Sequence, residues 1–428
     1  MDFPSAGISL AYYLFLLLVL RSAEGQIDFK EPLYMKFVNK ETHTNVSRVV
    51  MAQVVFRNGA STVGFTYPTD RYKNKRKYWS EGYGQLTNHG KRQNFLLGRA
   101  LRQRYGRFMS DEYVPNEVYV MSSDADRAIM GSQLTLAGIY TPVPTDQKWH
   151  SEIDWQPIPV HTLPAYMDLV FRNRQGRGMI PNRGKCRKLE VLISQLPGVM
   201  KFRSFHERHP NLYNFLSNKT GLNITHMEEA ARFQIFFSIL NNFGYPLPEW
   251  AHQVFPEPLT LVRAYALSLP TFYTEMQRLK TGPLLRDLVK HIQSYLAGNE
   301  SHFLYLYSGH DVDLTELQME QKMVISRFMT GLMRALGYTA PLVPNSCDAV
   351  ILELVKDLVG DYYVRGFYRQ FNGSELHAMS IHGCDYLCPL KDFFRYTARV
   401  IPQDWADECD VVPAYQSLEL EDPYDIYD

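Results

Sequence analysis

VVMAQVVF at Val49 to Phe56, stopping abruptly at Arg57-Asn58-Gly59, is the stretch whose reading decides the fold. A continuous apolar run rich in β-branched residues, with no polar alternation, fits a strand covered on both faces, as in the centre of an α/β sheet. Two other segments repeat the pattern. Val118 to Val120 runs into Ser122-Ser123-Asp124, with a helix expected from about Asp126, and Phe303 to Tyr307 runs into Ser308-Gly309-His310-Asp311. Three strand ends therefore carry polar clusters, the usual place for a site in an open α/β sheet. Between the first two strands, Leu86 to Phe108 predicts an amphipathic helix with Phe95, Leu96, Ala100, Leu101 and Tyr105 on its apolar side. From about Ile153 to Lys290 the chain turns helix-rich, with breaks at Pro197, Pro210, Pro246 and Pro256, and is read as a helical insertion over the sheet.

Composition narrows the class of protein. The 428 residues are 45% hydrophobic in type, and 45 basic side chains face 45 acidic ones. Disorder would need fewer apolar residues and more net charge, and neutrality argues against a surface built throughout for nucleic acid or an anionic membrane. Near the start, LAYYLFLLLVL at Leu10 to Leu20 is too short to span a bilayer and is followed by small residues suited to cleavage. Residues 1–25 are read as a secretory signal peptide; an uncleaved anchor is the alternative, because Asp2 weakens the positive start. No second run of spanning length follows, so no membrane span is expected in the mature chain. Five N-x-S/T sequons, at Asn45, Asn218, Asn223, Asn299 and Asn372, agree with export, as do five cysteines that an oxidising compartment would pair. The expected location is extracellular or the secretory-pathway lumen. His382 beside Cys384 and Cys388 lacks a second pair of ligands at metal spacing, and His206-Glu207-Arg208-His209 is not H-E-x-x-H, so no metal and no cofactor are expected.

The motifs at and between the strand ends are YPTD at Tyr67 to Asp70, GYGQLTNHGKRQ at Gly82 to Gln93, SSDADRAIMGSQ at Ser122 to Gln133, IPVHT at Ile158 to Thr162, SGHD at Ser308 to Asp311 and CPL at Cys388 to Leu390. In this order they resemble the histidine acid phosphatases of the prostatic and lysosomal type, two-step phosphomonoester hydrolases within the larger histidine phosphatase fold. The resemblance spans roughly Arg48 to Cys409. It implies an α/β fold, a doubly wound mixed-sheet core with helices on both faces and a smaller, mainly helical inserted domain. The core is assigned to 26–152 and 291–428, and the helical cap to 153–290.

Carried over residue by residue, the resemblance breaks at the chemistry. The family's first strand ends in R-H-G-x-R-x-P, whose His takes the phosphoryl group while both Arg residues grip its oxygens; here the chain reads Arg57-Asn58-Gly59-Ala60-Ser61-Thr62-Val63. Asn58 replaces the nucleophile, and a carboxamide nitrogen, its lone pair delocalised, cannot attack phosphorus as imidazole does. Ser61 replaces the second Arg. At the second strand the family's R-S-T-D-x-D-R becomes Met121-Ser122-Ser123-Asp124-Ala125-Asp126-Arg127, so Met121 removes a further cation, and Arg127 is read as a buried structural ion-pair partner. At the third strand His310 and Asp311 match the family's HD pair, a phosphate ligand and the acid that protonates the leaving alcohol. The resemblance thus leaves Arg57, His310 and Asp311 as a partial site for phosphate or another small anion, with a pocket poorer in cations than the family's.

It also implies disulfides Cys186–Cys409 and Cys384–Cys388, the first contributing roughly 4–5 kcal/mol on the chain-entropy model. Cys347 matches a family cysteine whose partner is absent from LNNFGYPLPEW at Leu240 to Trp250, and is expected as a buried free thiol. Arg71 to Lys77 sets five basic residues among aromatics at the expected rim of the pocket, a candidate surface for a glycan or other polyanion, although a solvated loop balanced by acids is the commoner outcome. Three functions are ranked in order: a secreted pseudophosphatase acting by ligand or partner binding, an acid phosphatase with residual activity, and an extracellular polyanion-binding protein. The family also implies a homodimer.

Overall fold

A computed structural model describes residues 48–165, 167–172, 186–196, 207, 209–310, 328–338, 343–371 and 376–411. The expected leader 1–25, the sequons at Asn45 and Asn372, Asp311, and His206 with Arg208 lie outside the described residues. The strands are β1 Arg48–Arg57, β2 Val118–Ser123, β3 His161–Leu163, β4 Leu304–Gly309, β5 Ala349–Lys356, β6 Tyr362–Arg369, β7 Leu376–Met379 and β8 Cys388–Pro389. The helices are α1 Lys75–Tyr78, α2 Asn88–Tyr105, α3 Asp126–Ile139, α4 Arg187–Gln195, α5 Leu212–Thr220, α6 Met227–Asn242, α7 Leu259–Ser268, α8 Thr274–Lys280, α9 Gly282–Leu296, α10 Phe328–Ala335, α11 Leu390–Thr397 and α12 Trp405–Glu408.

One mixed sheet runs in the order β3-β2-β4-β1-β5-β6-β7, with β8 paired to β6. β1 pairs in parallel with β4 and antiparallel with β5, so both its edges are hydrogen-bonded. Its neighbours also explain the lack of alternation. Ala52, Val54 and Phe56 face a core shared with Leu97 and Leu101 of α2 and Leu136 and Ile139 of α3. On the opposite face the buried Gln53 Nε2 donates to the carbonyl of Leu288 in α9 at 2.8 Å. Helices thus cover both faces, as expected, and each large aliphatic side chain sealed between them contributes roughly 1.5–3 kcal/mol.

The apolar side of α2 differs from the one read in the sequence. Its buried residues are Gly90, Gln93, Asn94, Leu97, Gly98, Leu101 and Tyr105, while Leu96 is 52% exposed. The reason is a glycine contact. A Cβ on Gly98 would fall 2.0 Å from the Thr135 carbonyl of α3, and one on Gly138 would fall 2.1 Å from the Phe95 carbonyl. The two helix backbones touch there, and that contact rather than the largest side chains sets the buried face.

The helices of the 153–290 stretch build a second apolar cluster, centred on Leu216, Phe233, Phe236, Phe237 and Leu240. Phe65 and Tyr67, from the segment after β1, pack their rings on Phe236 at 5.3 and 5.2 Å. The loop leaving the first strand end is therefore anchored in both cores. Cys186–Cys409 and Cys384–Cys388 are bonded as expected. Cys347 is a buried free thiol whose pKa burial pushes up, which keeps it protonated and inert. Among the described residues no helix is long and apolar enough to cross a membrane.

Beneath the sheet, α9 meets β4 through a titrating cluster. His291 Nδ1 lies 3.0 Å from Glu300 Oε2, its other ring nitrogen lies 3.8 Å from Asp287 Oδ2, and Tyr307 Oη donates to Asp287 at 2.7 Å. Burial alone would lower the His291 pKa, but the two carboxylates outweigh it and raise it. A raised histidine pKa stabilises the fold fully below the unfolded value near 6.5, and that contribution disappears as pH rises through the folded value. His291→Gln is expected to lower stability more at pH 5 than at pH 8; thermal melts at the two pH values measure the difference.

Candidate functional site

β2, β4 and β1 are adjacent and parallel, with Ser122 opposite Ser308 and Arg57 opposite Gly309, so all three polar strand ends emerge at one edge of the sheet. Arg57 is half-buried and its Nη1 donates to the Pro344 carbonyl. Asn58 is buried, and its Nδ2 donates to the Gly59 carbonyl at 2.7 Å. The loop beyond it is docked on the start of α2. Gly59 N donates to Asn94 Oδ1 at 2.7 Å, Ala60 N to Gln93 Oε1 at 2.8 Å, and Thr87, the N-cap of α2, binds the Ala60 carbonyl through both its amide and its hydroxyl. Ser61 is half-buried and bridged to Leu86, while Met121 is buried at the end of β2 in register with Tyr307 and His161. His310 is 1% exposed, with Nδ1 2.7 Å from Ser123 Oγ.

Charge at this edge departs from what the three strand ends alone suggest. The His310 pKa lies well below the ordinary imidazole value, first because the ring is buried and then because Arg127, Arg172 and Lys280 are close enough to oppose a further positive charge. Arg127 is half-buried rather than buried, and its charge is felt at the pocket. Arg172, whose Nη2 donates to the Asp124 carbonyl at 2.9 Å, and Lys280, at the end of α8, were not singled out in the sequence. Part of the cation deficit is thus offset by side chains from segments far from the strand ends. Asp168 accompanies them. It is 1% exposed, accepts the Phe171 N–H at 2.8 Å, and burial pushes its pKa up to about 6 against the opposing pull of that bond and of Arg172.

Among the described residues, Asn58 Oδ1, Asp168 Oδ2 and His310 Nε2 are buried polar atoms at this edge without a hydrogen-bond partner. Buried polar atoms are nearly always hydrogen-bonded, so such a concentration marks a place suited to a polar guest. Unpaired acceptors and a neutral imidazole amid guanidinium and ammonium charges suit a small, partly protonated anion.

A family model described as "Histidine phosphatase superfamily (branch 2)" matches residues 26–319. The chain belongs to that superfamily. It is 31% identical over 370 residues to the lysosomal acid phosphatase of Homo sapiens, covering 86% of this chain and 81% of that protein. Against the Homo sapiens prostatic acid phosphatase it is 28% identical over 419 residues, covering 94% and 98%. Among solved structures, phytases from Citrobacter braakii (TM-score 0.59, 15% identity, 85% of this chain and 100% of that one) and Klebsiella sp ASR1 (0.60, 13%, 86% and 100%) share the fold. Membership of the histidine phosphatases accounts for the order of the motifs along the chain.

Other sequence candidates fall elsewhere. Glu207 is exposed and no metal-binding group occurs among the described residues. The sequon residues Asn218, Asn223 and Asn299 are exposed. Asp168 and Arg172 were missed, though a lone carboxylate within the apolar run Tyr166-Met167-Asp168-Leu169-Val170-Phe171 was a readable signal, since isolated acids are rarely buried without a reason. Because the folded Asp168 pKa lies above the unfolded one, its contribution to stability is complete below about pH 4 and is lost as pH rises through about 6. Asp168→Asn should therefore raise stability at pH 7 by up to about 3 kcal/mol and leave it nearly unchanged at pH 4, as read by urea unfolding.

Proposed function

We propose that this chain is an exported glycoprotein of the histidine phosphatase superfamily that binds a phosphate-like anion at the strand-end pocket without turning over phosphomonoesters by the covalent route. The observation that carries the reading is Asn58. It sits buried at the end of β1, where the resemblance requires a nucleophilic imidazole, and its amide nitrogen is engaged with the Gly59 carbonyl. A phosphoryl-enzyme of this family needs a new bond from a nitrogen lone pair to phosphorus, and the carboxamide nitrogen, its lone pair delocalised into the carbonyl, has none to give. Ser61 and Met121 remove two more donors expected to hold the phosphoryl oxygens, while Arg57, Arg127, Arg172, Lys280 and His310 leave enough positive and donor character for an anion to rest there. Export is supported by the apolar leader-like segment, the exposed sequon residues and the two disulfides.

Residual acid phosphatase activity is the second reading, favoured by the intact His310-Asp311 sequence and by relatives that carry the phosphatase name. Hydrolysis of p-nitrophenyl phosphate at about pH 5 separates the two. We expect no turnover above background from the unmodified protein, binding of inorganic phosphate in calorimetry that Arg57→Ala weakens by tenfold or more, and measurable turnover from the triple variant Asn58→His, Ser61→Arg, Met121→Arg. Turnover by the unmodified protein that disappears on Asp311→Ala would overturn the proposal in favour of the second reading.

A further inference from the structure

We infer that the loop Arg71–Lys77 is a docking site for a sulfated glycan, separate from the strand-end pocket and built as a rigid cationic platform. Arg71, Lys73, Lys75, Arg76 and Lys77 are all exposed, and no acidic residue lies between Arg71 and Trp79. Among the described residues none of the five forms a salt bridge. In a chain with as many acids as bases, five neighbouring cations without an ion pair depart from a balanced solvated loop. The two flanking carboxylates already hold other partners, and Asp70 feels the charge of Lys73 without pairing to it. Asp70 is buried and accepts from Thr66 and from Tyr72 N, and Glu81 accepts from Ser80.

The loop is also held still. Tyr72 stacks on Tyr245 with centroids 4.9 Å apart and donates through Oη to the Pro246 carbonyl, Trp79 Nε1 donates to the Tyr72 carbonyl, and Tyr83 Oη to the Lys73 carbonyl. Arg71, Lys75 and Lys77 lie over the rings of Tyr72, Tyr83 and Tyr78. Cation–π contacts of this kind localise the charges while leaving their heads in water. A pre-ordered set of cations binds a polyanion at less entropic cost than a mobile tail does.

The same geometry selects the partner. Tyr72, Tyr78 and Trp79 pack on Tyr245, Trp79 also on Phe243, and Lys75 and Lys77 lie over Tyr83 and Tyr78, which limits the ring surface offered to a nucleobase. Residues 71–77 also expose no apolar side chain to enter a bilayer. A linear chain of sulfate groups needs neither, and because neither sulfate nor Lys and Arg titrates in the acid range, binding persists at pH 5. Thr62 Oγ1 donates to the Gly82 carbonyl at 2.6 Å and Gly84 N to the Val63 carbonyl at 2.9 Å, so the platform is fastened to the loop that follows Asn58.

The test is titration of the full-length protein with a heparin-derived decasaccharide at several salt concentrations and at pH 5 and 7. Micromolar or tighter binding at 0.15 M NaCl at both pH values is expected. Lys73→Gln, Lys75→Gln, Arg76→Gln, Lys77→Gln combined should weaken it at least tenfold and cut the log–log salt slope by roughly three. Arg76→Glu alone, at a residue with no ring or hydrogen-bond contact, should weaken it several-fold without altering the melt. A control that removes the same charge elsewhere, Arg92→Gln, Arg107→Gln, Lys290→Gln, Lys356→Gln, should bind as the parent does. Absence of binding at 0.15 M salt, equal loss in the control, or tighter binding to a single-stranded oligodeoxynucleotide or phosphatidylserine vesicles than to the decasaccharide overturns the inference. Inorganic phosphate binding at the pocket is unaffected by either result.

Discussion

Backbone rests on backbone where the chain leaves β1. A Cβ on Gly59 would fall 2.1 Å from the Gly90 carbonyl, and one on Gly90 would fall 2.1 Å from the Ala60 carbonyl. Only glycine at both positions lets the strand-end loop lie against the first turn of α2, where Asn94, Gln93 and Thr87 satisfy its amides and carbonyl. α2 is placed in turn by its glycine contact with α3, and α3 begins just beyond the end of β2. The position of Asn58 relative to Ser123 and His310 is thus fixed by a chain of close backbone contacts.

Electrostatics at the same edge follows from burial. His310 and Asp168 share the influence of Arg172 and Lys280, yet both end up neutral over much of the acid range, one because burial and cations suppress its proton, the other because burial retains it. Neutral hydrogen-bonding groups thus stand beside cationic side chains at this edge. Glu353 shows the opposite solution in the same sheet. It is fully buried but held by Arg104, Arg365 and Tyr105 at 2.6–2.8 Å, so that carboxylate is committed to structure and unavailable for binding.

Much of this was legible from residues alone, and the exceptions share a cause. β1, β2 and β4 could be read because central parallel strands lack polar alternation, and their polar terminations marked the site edge. The burial face of α2 was misread because hydrophobic periodicity weighs large side chains, whereas Gly90, Gly98 and Asn94 make the contacts. Arg172 and Lys280 were invisible as pocket cations because they arrive from a turn and a helix end more than a hundred residues from Arg57. Their approach depends on tertiary packing that no local pattern encodes. The same holds for the platform at Arg71: its charges were plain in the sequence, but Tyr245 and Pro246, which make it rigid, come from beyond α6.

The replaced family positions are as informative for their fit as for the chemistry they lack. Asn58 satisfies its own amide nitrogen on the neighbouring carbonyl, Ser61 joins a β-bridge, and Met121 fills buried space beside Tyr307. A cationic side chain at 61 or 121 would have to be paired by a bound anion or reach water, because an uncompensated buried charge costs several kcal/mol. Ser and Met carry no such demand. This edge of the sheet therefore carries fewer charges that need a counter-charge than the family pattern would place there.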